Sequence, residues 1–511
     1  MNKNAASSQG PAQPLFHGAR WSTLWIGFNQ VTKIIRGLVV PKLLDPAAYG
    51  LWTSLSVVLG YAQYADLGVN QQLGKRLPYR LARDGEAGYH ELAREGTGWG
   101  FVTSGIVALA LLAWSLVYEG PTPEFYRIAL RLLAVAAIAQ KLRFMGATFL
   151  GSRFMFREGA IGGMLVDGVG LVLAVLFLVW WGVLGLVWAF LATEFIVALY
   201  YFAQIGFPRP SFMPSKTLPM VQEGFLLLAV VLAEQALMTV DQVFLLWFFA
   251  REEYGIYALG LFLTTVLLSA SGVFLTVTQP KVMHLAGGGN LDEAKTVVRT
   301  SLTLYLVLVA GMVGVTILGM DLMVRLYLTK YQAGLQVFVL MPLLALMRAP
   351  VILLRPLFLA RNLEKRLVAI EAGGLALAAV LDALVVTLHP AVMLIAAGSI
   401  LGYSFVVLGM AWDLGVHAKA SERDGNRFML VITAASAVGV MGLFAFYGSV
   451  EWVQGEAFRY FTKGFLACAA YSAWMGLFIW AGRRHWMEAW RVFRHGSAPT
   501  RPPAPELLEA I

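Results

Sequence analysis

A polar and basic face stands out in the first long apolar stretch of this sequence. Asn29, Lys33 and Arg36 are spaced i, i+4 and i+7, so a helix places all three side chains on one face. Ammonium and guanidinium groups bind phosphate and carboxylate groups. A charge at bilayer depth costs roughly 2.5–3.5 kcal/mol on insertion scales and should face protein or a wet cavity. The face therefore predicts either an anion-binding cavity lining or a structural ion pair buried between helices.

A second cationic candidate lies in a later apolar stretch that is rich in proline. Arg348 is close to the middle of that stretch, between Pro342, Pro350 and Pro356. Prolines at this density kink or interrupt a helix and leave carbonyl groups that only protein or water can satisfy. Arg348 is therefore predicted to line the same cavity as the first cationic face.

Two acidic residues occupy matching positions of another apolar stretch and are candidates for a gate or for ion coupling. Glu234 follows Asn29 by 205 positions, and Asp241 follows Arg36 by the same interval. If both faces line one cavity, a contact between Arg36 and Asp241 would close its outer side. Asp241 could equally lie at the outer membrane interface, because it falls late in its stretch.

Further charged residues lie inside apolar stretches. The basic ones fall toward one end, where long side chains can extend to the headgroup region, and we favour that interpretation. The acidic ones could be their ion-pair partners or could bind a coupling proton or sodium ion, and spacing alone does not decide. The basic residues are Lys141, Arg143 and Arg355, and the acidic residues are Glu194, Glu371 and Asp382.

Aromatic residues near the cationic face could contact a sugar. Trp25, Tyr61 and Tyr64 carry rings that stack on pyranose faces, although tryptophan and tyrosine near span ends more often anchor a helix at the membrane interface.

The amino-acid composition indicates an integral membrane protein. Of 511 residues, 59% are hydrophobic and 14% are charged, which is too few polar side chains for a soluble surface of that size. The apolar stretches are about 20 residues long, as transmembrane helices require. The net charge of +9 is explained by loop topology, because no groove-reading motif suggests nucleic acid. No nucleotide-binding loop, metal motif or cofactor motif is present, so we expect neither an enzyme nor a bound cofactor.

The fold class is therefore an all-α polytopic membrane protein with about 14 transmembrane helices. Most of the 39 lysine and arginine residues fall in loops on one side, which predicts that both termini are cytoplasmic. The longest connection, 71–96, is too short to fold alone. The predicted spans are 21–41, 48–70, 97–117, 127–150, 159–181, 185–206, 221–248, 255–279, 298–320, 335–360, 367–389, 391–413, 428–448 and 461–482.

The chain contains signs of an internal duplication. Tyr49-Gly50 returns as Tyr254-Gly255 at the same 205-residue interval that relates the polar faces. Two facing six-helix bundles with a cavity between them would support alternating access. The predicted parts are a tail at 1–20, a bundle at 21–206, a linker at 207–220, a second bundle at 221–413, an accessory helix pair at 428–482 and a tail at 483–511.

Several short segments resemble a known family. The segments Pro41–Leu44, Tyr49–Trp52 and Ala65–Val69, followed by Pro280 and Gly287–Asp292, are similar to polysaccharide transporters of the O-antigen flippase type. These belong to the multidrug/oligosaccharidyl-lipid/polysaccharide (MOP) exporter superfamily. The resemblance implies a flippase that moves an undecaprenyl-diphosphate-linked oligosaccharide from the inner to the outer leaflet of the bacterial inner membrane.

The implied partners are this lipid-linked substrate, membrane lipids and the machinery that polymerises polysaccharide and sets its chain length. Coupling to protons, sodium or membrane potential stays open.

Other functions remain as alternatives. A multidrug exporter of the same superfamily would be expected to carry an acidic residue where the first span has its cationic face. A major-facilitator transporter is suggested by Asp66 before Gly74-Lys75-Arg76, but the spacing is wrong for that motif. A membrane glycosyltransferase or polymerase would need a larger outer loop.

Overall fold

The structure, a computed structural model, describes residues 12–416 except residue 121. These residues form helices joined by short connections, and no strand occurs among them. A short 3-10 helix, Thr329–Gly334, precedes α10. The α-helices are α1 (Ala12–Leu43), α2 (Pro46–Ala62), α3 (Val69–Val117), α4 (Pro123–Ser152), α5 (Phe156–Trp181), α6 (Val183–Ile205), α7 (Pro214–Phe248), α8 (Arg251–Gly287), α9 (Leu291–Leu326), α10 (Leu335–Ala360), α11 (Glu364–Leu388) and α12 (Val392–Val416).

The all-helical class predicted from the sequence is confirmed. Each of the first twelve predicted spans falls mainly on one observed helix, and the span 48–70 covers most of α2, the turn after it and the first two residues of α3. The last two predicted spans, 428–448 and 461–482, lie outside the described residues, as does the tail 483–511. Seven of the described helices, α3, α5, α6, α7, α10, α11 and α12, are long and apolar enough to cross a membrane by length and composition. The chain is therefore a multi-pass membrane protein.

The connection 71–96, which we expected to be a loop, is helical and belongs to α3, which consists of two helical segments joined by a kink at Gly85, at φ 66° and ψ −159°. Leu73 and Leu77 before the kink and Leu92 after it are buried in one core cluster with Phe149 of α4. Apolar residues on both segments thus pack a charge-rich connection onto the protein.

Local signals in the sequence set two helix starts. Asp45 precedes Pro46 at the start of α2, and its Oδ1 accepts a hydrogen bond of 2.7 Å from the backbone N–H of Ala48. Asn290 caps α9 by accepting from the backbone N–H of Glu293 and donating to its carboxylate. Both are N-cap arrangements, which satisfy donors that the first helical turn leaves free.

The chain divides into two compact units. The first contains the chain up to Gln235 together with Ala250–Gly255, and the second contains Ala236–Phe249 and the chain from Ile256 onward. In the first unit α1 packs on α5, α3 on α4, and α6 on both α4 and α5. In the second unit α12 packs on α10 and α11, and α9 packs on α10.

The connection between α6 and α7 is residues 206–213, which overlaps the predicted linker 207–220, whose residues from Pro214 onward belong to α7. The pair of six-helix bundles with the boundaries given above stays a prediction.

Candidate functional site

The polar face of α1 packs against α5 and is held there by one carboxylate. Asp167 of α5 accepts two hydrogen bonds from α1, one of 3.0 Å from Trp25 Nε1 to Oδ2 and one of 2.7 Å from Asn29 Nδ2 to Oδ1. Asn29 belongs to the face predicted from the sequence, and Trp25 lies one helical turn before it. Asp167 therefore fixes the orientation of that face relative to α5.

Glycines in α5 set the register between the two helices. The ring of Trp25 fills the space beside Gly163, where an added Cβ would lie 2.3 Å from Cε2 of the ring. One turn earlier, the guanidinium of Arg157 lies 5.5 Å from the ring centroid of Trp21. Residue numbers rise along both helices from one contact to the next, so α1 and α5 run parallel. The three contacts are Trp21–Arg157, Trp25–Gly163 and Asn29–Asp167.

The two cations of the α1 face have no carboxylate at ion-pair distance among residues 12–416. Lys33 is exposed, and Arg36 is half-buried with its guanidinium 5.8 Å from the ring centroid of Trp52 on α2. Both interact with Asp167 at longer range. The N–H donors of Lys33 and Arg36 are therefore available for charge-assisted hydrogen bonds to an incoming anion.

The structure brings one of the predicted aromatic residues to this face. Trp25 combines its hydrogen bond to Asp167 with an exposed ring. Tyr61 lies near the end of α2, and Tyr64 lies in the turn that follows, close enough to Glu234 of α7 to interact electrostatically. The role of these three rings in sugar contact stays a prediction.

Three basic residues that we expected to extend toward the headgroups are instead paired with buried carboxylates, so that interpretation is wrong. In each case an acidic residue on a neighbouring helix, or in the turn before one, lies within reach, and an ion pair at such a site is less costly than either lone charge. This resolves Glu194 and Glu371 as ion-pair partners. The pairs are Lys141–Asp66, Arg143–Glu194 and Arg355–Glu371, the last with 2.6 Å between Nη2 and Oε1.

Asp66 also organises the turn between α2 and α3. Its carboxylate accepts hydrogen bonds from the backbone N–H groups of Gly68 and Asn70 at 3.3 and 3.1 Å. Leu67 and Gly68 have positive φ angles of 54° and 85°. A Cβ on Gly68 would lie 2.5 Å from the carbonyl oxygen of Gly224 on α7, so glycine is required there.

The second unit contains a separate charged cluster. Asp241 is buried and accepts hydrogen bonds from Tyr257 Oη and, at 2.7 Å, from the backbone N–H of Gln242. Arg348 is 8% exposed, lies 5.3 Å from the ring centroid of Tyr403 and interacts electrostatically with Asp241. Arg348 is therefore surrounded by protein within its own unit.

Asp382 of α11 belongs to the same cluster. It is fully buried, it interacts electrostatically with Asp241, and neither of its carboxylate oxygens has a hydrogen-bond partner among the described residues. The closing contact between Arg36 and Asp241 stays a prediction.

Our interpretation of the sequence missed Asp167. The signal was present, because it is the single acidic residue in the predicted span 159–181. An acidic residue at that depth is costly and should have been paired with a nearby polar face.

Solved structures share the fold of this chain. An inward-facing structure of a multidrug resistance MATE family transporter of the MOP superfamily superposes with a TM-score of 0.55 and 14% identity, covering 79% of this chain and 96% of that chain. A structure of the lipid II flippase MurJ in an inward closed conformation gives a TM-score of 0.64 and 11% identity, covering 89% of this chain and 98% of that one. At these identities the likeness shows a shared fold.

A third structure shares the fold. It is a MOP superfamily transporter from Pyrococcus furiosus, described as having a binding pocket of reverse polarity, with a TM-score of 0.52 and 15% identity over 82% of this chain and 94% of that one. No curated protein sequence matches this chain.

The family itself follows from the sequence. The model of the family described as "Polysaccharide biosynthesis protein" matches residues 39–332, more than half of the chain. The protein belongs to that family, which agrees with the predicted relationship to polysaccharide proteins, and its fold is shared with structures of MOP superfamily transporters.

Proposed function

We propose that this protein is a flippase for an undecaprenyl-diphosphate-linked oligosaccharide, such as an O-antigen, capsule or exopolysaccharide repeat unit. One observation carries the proposal. Lys33 and Arg36 lie on one face of α1 without a carboxylate at ion-pair distance among the described residues, in a chain of a polysaccharide biosynthesis family. A diphosphate is the anionic part of such a lipid and suits these two cations.

The rest of the substrate has candidate contacts nearby. Trp25 adds an exposed ring one turn from Asn29, and rings of this kind stack on sugars. Tyr61 and Tyr64 are further sugar-contact candidates, and Arg348 is a further cation in the second unit. The protein then moves the head group from the cytoplasmic to the periplasmic leaflet by alternating access, without enzymatic chemistry.

The membrane arrangement is part of the proposal. The distribution of lysine and arginine supports cytoplasmic termini in a bacterial inner membrane. A polysaccharide polymerase and the machinery that sets chain length are the expected partners, because they act on the lipid-linked product.

Ion coupling is assigned to the cluster in the second unit. Asp382 is a buried carboxylate without a hydrogen-bond donor among the described residues, and Asp241 lies close by. A buried carboxylate without a donor is stabilised by a proton or a cation. Glu234 is the alternative coupling residue, in the first unit.

The proposal is tested in cells that lack the protein, by mass spectrometry of polyprenyl-linked intermediates and a leaflet-accessibility assay. A cytoplasm-facing lipid-linked oligosaccharide should accumulate. Wild type and Arg366→Ala should relieve the accumulation and Arg36→Ala should not, since Arg366 belongs to the second unit, where it forms an ion pair with Asp413.

The main competing function is a small-molecule or multidrug exporter. A cationic drug would be repelled by Lys33 and Arg36, which disfavours that function. An unchanged lipid pool combined with altered sensitivity to toxic small molecules would refute the flippase and favour the exporter. Incorporation of sugar by the purified protein would instead indicate a glycosyltransferase or polymerase.

A further inference from the structure

We propose that Asp167 determines the affinity of the α1 face for the diphosphate, by acting as a fixed competitor for the charges of Lys33 and Arg36. The inference rests on the proposed function, since it concerns the same site. It adds a residue whose effect on binding is opposite in sign to that of the cations. Loss of Asp167 should tighten binding, whereas loss of either cation should weaken it.

The first step is the position of the carboxylate. Asp167 is held by hydrogen bonds from Trp25 and Asn29, and Asn29 lies one helical turn before Lys33. Its charge interacts with both Lys33 and Arg36, yet it forms an ion pair with neither. The carboxylate is therefore close enough to weaken the attraction of these cations for another anion, but it leaves their donors open.

The second step is that this position is fixed. Gly163 lies one turn before Asp167 on α5, and its missing side chain admits the ring of Trp25. Two donors on α1 and the Trp25 ring beside Gly163 then hold the carboxylate where it is, so a bound diphosphate does not displace it. The competing charge remains present in both the loaded and the empty protein.

The third step is the effect of a fixed competing charge on the release of the transported group. A transported group must bind strongly enough to be captured and weakly enough to be released. Two unopposed cations on a partly buried face would hold a diphosphate tightly, because charges near a low-dielectric interior interact more strongly than in water. Asp167 offsets part of that attraction and speeds release.

The test uses the full-length protein in lipid nanodiscs and farnesyl diphosphate as the probe. Asp167→Asn removes the charge while keeping a side chain of the same shape. We expect it to bind the probe about tenfold more tightly than wild type. Asp167→Glu retains the charge and should bind within about twofold of wild type, and farnesol should show no such difference.

Two further variants separate the charge from the hydrogen bonds. Trp25→Phe and Asn29→Ala each remove one bond to Asp167 but keep its charge, so neither should tighten binding. If Asp167 only pins α1 to α5, Asp167→Asn will weaken binding as these two variants do and will lower thermal stability with them. That result would overturn the inference.

Transport rates give an independent readout. In a flipping assay Asp167→Asn should lower both the apparent KM and the maximal rate, because tighter binding slows release. A purely structural role would lower the maximal rate without lowering the KM.

The two levels of the proposal fail in different ways. If wild type binds the diphosphate no better than farnesol and Lys33→Ala changes nothing, the proposed function and the inference both fail. If Lys33→Ala weakens binding but Asp167→Asn leaves it unchanged or weaker, only the inference fails.

Discussion

Gly50 and Gly255, which are separated by the 205-residue interval of the predicted duplication, touch through their backbones in the structure. A Cβ on Gly255 would lie 1.7 Å from the carbonyl oxygen of Pro46 and 3.0 Å from the backbone nitrogen of Gly50. A Cβ on Gly50 would lie 2.5 Å from the carbonyl oxygen of Arg251. The starts of α2 and α8 therefore approach each other through the two residues that the 205-residue interval relates.

This contact predicts a sharp effect of a single methyl group. Gly255→Ala should destabilise the protein by about 1–3 kcal/mol, because the methyl group has no space and two backbones must separate. Gly27→Ala is the matched control, since no atom lies within 4 Å of its added Cβ, and alanine should stabilise that helix slightly. Thermal unfolding in detergent measures both. Equal melting temperatures for the two variants would contradict the close approach.

The two cations of α1 should differ in how well they tolerate substitution. Arg36→Lys keeps the charge but loses the planar group that stacks near Trp52, so we expect partial complementation of a deletion strain. Lys33→Arg should function nearly as wild type, since Lys33 is exposed and contributes mainly charge. Surface polysaccharide per cell is the measurement. Full activity of Lys33→Ala and of Arg36→Ala would show that the face does not bind substrate.

The buried pair of Lys141 and Asp66 should behave as a coupled unit. Lys141→Met leaves the Asp66 carboxylate buried without its cation and should cost about 3–5 kcal/mol of unfolding free energy. The double variant with Asp66→Asn should recover part of that loss, because no isolated charge remains. Unfolding of the wild type, the two single variants and the double variant gives the coupling. Strictly additive losses would indicate that the pair is not formed.

Two buried acids on α11 should respond in opposite ways to loss of charge. Asp382→Asn should preserve stability, since its carboxylate has no hydrogen-bond partner among the described residues, but should abolish the dependence of transport on a proton or sodium gradient. Glu371→Gln removes the charge that pairs with Arg355 and should cost roughly 3 kcal/mol while leaving any coupling intact. Thermal unfolding and gradient-driven flipping in vesicles measure the two effects. Retained coupling in Asp382→Asn would move the assignment to Glu234.

The helices could be predicted from the sequence because an apolar stretch of membrane-spanning length is recognisable without knowledge of its packing partners. The connection 71–96 could not, since its apolar residues are few and separated by charges. In the structure its two helical segments meet at Gly85 and pack against Phe149 and its neighbours. The i, i+4 spacing of Leu73 and Leu77 was the available signal.

The partners of the charged residues depended on the packing of helices that are distant in sequence. The spacing of Asn29, Lys33 and Arg36 indicated one face, but no local pattern relates that face to Asp167, more than 130 positions away. The same limit explains why Lys141 and Arg143 were misinterpreted. Their carboxylate partners lie at the end of one predicted span and within another, and only the packed structure brings them together.

The most direct measurement uses purified protein in sealed vesicles that contain an undecaprenyl-diphosphate-linked oligosaccharide. A membrane-impermeant glycosidase added outside reports how much of the lipid faces outward over time. Wild type should make nearly all of it accessible, whereas Lys33→Ala with Arg36→Ala should leave the inner-leaflet half protected. Accessibility that is the same with wild-type protein as in protein-free vesicles would contradict flipping of this lipid.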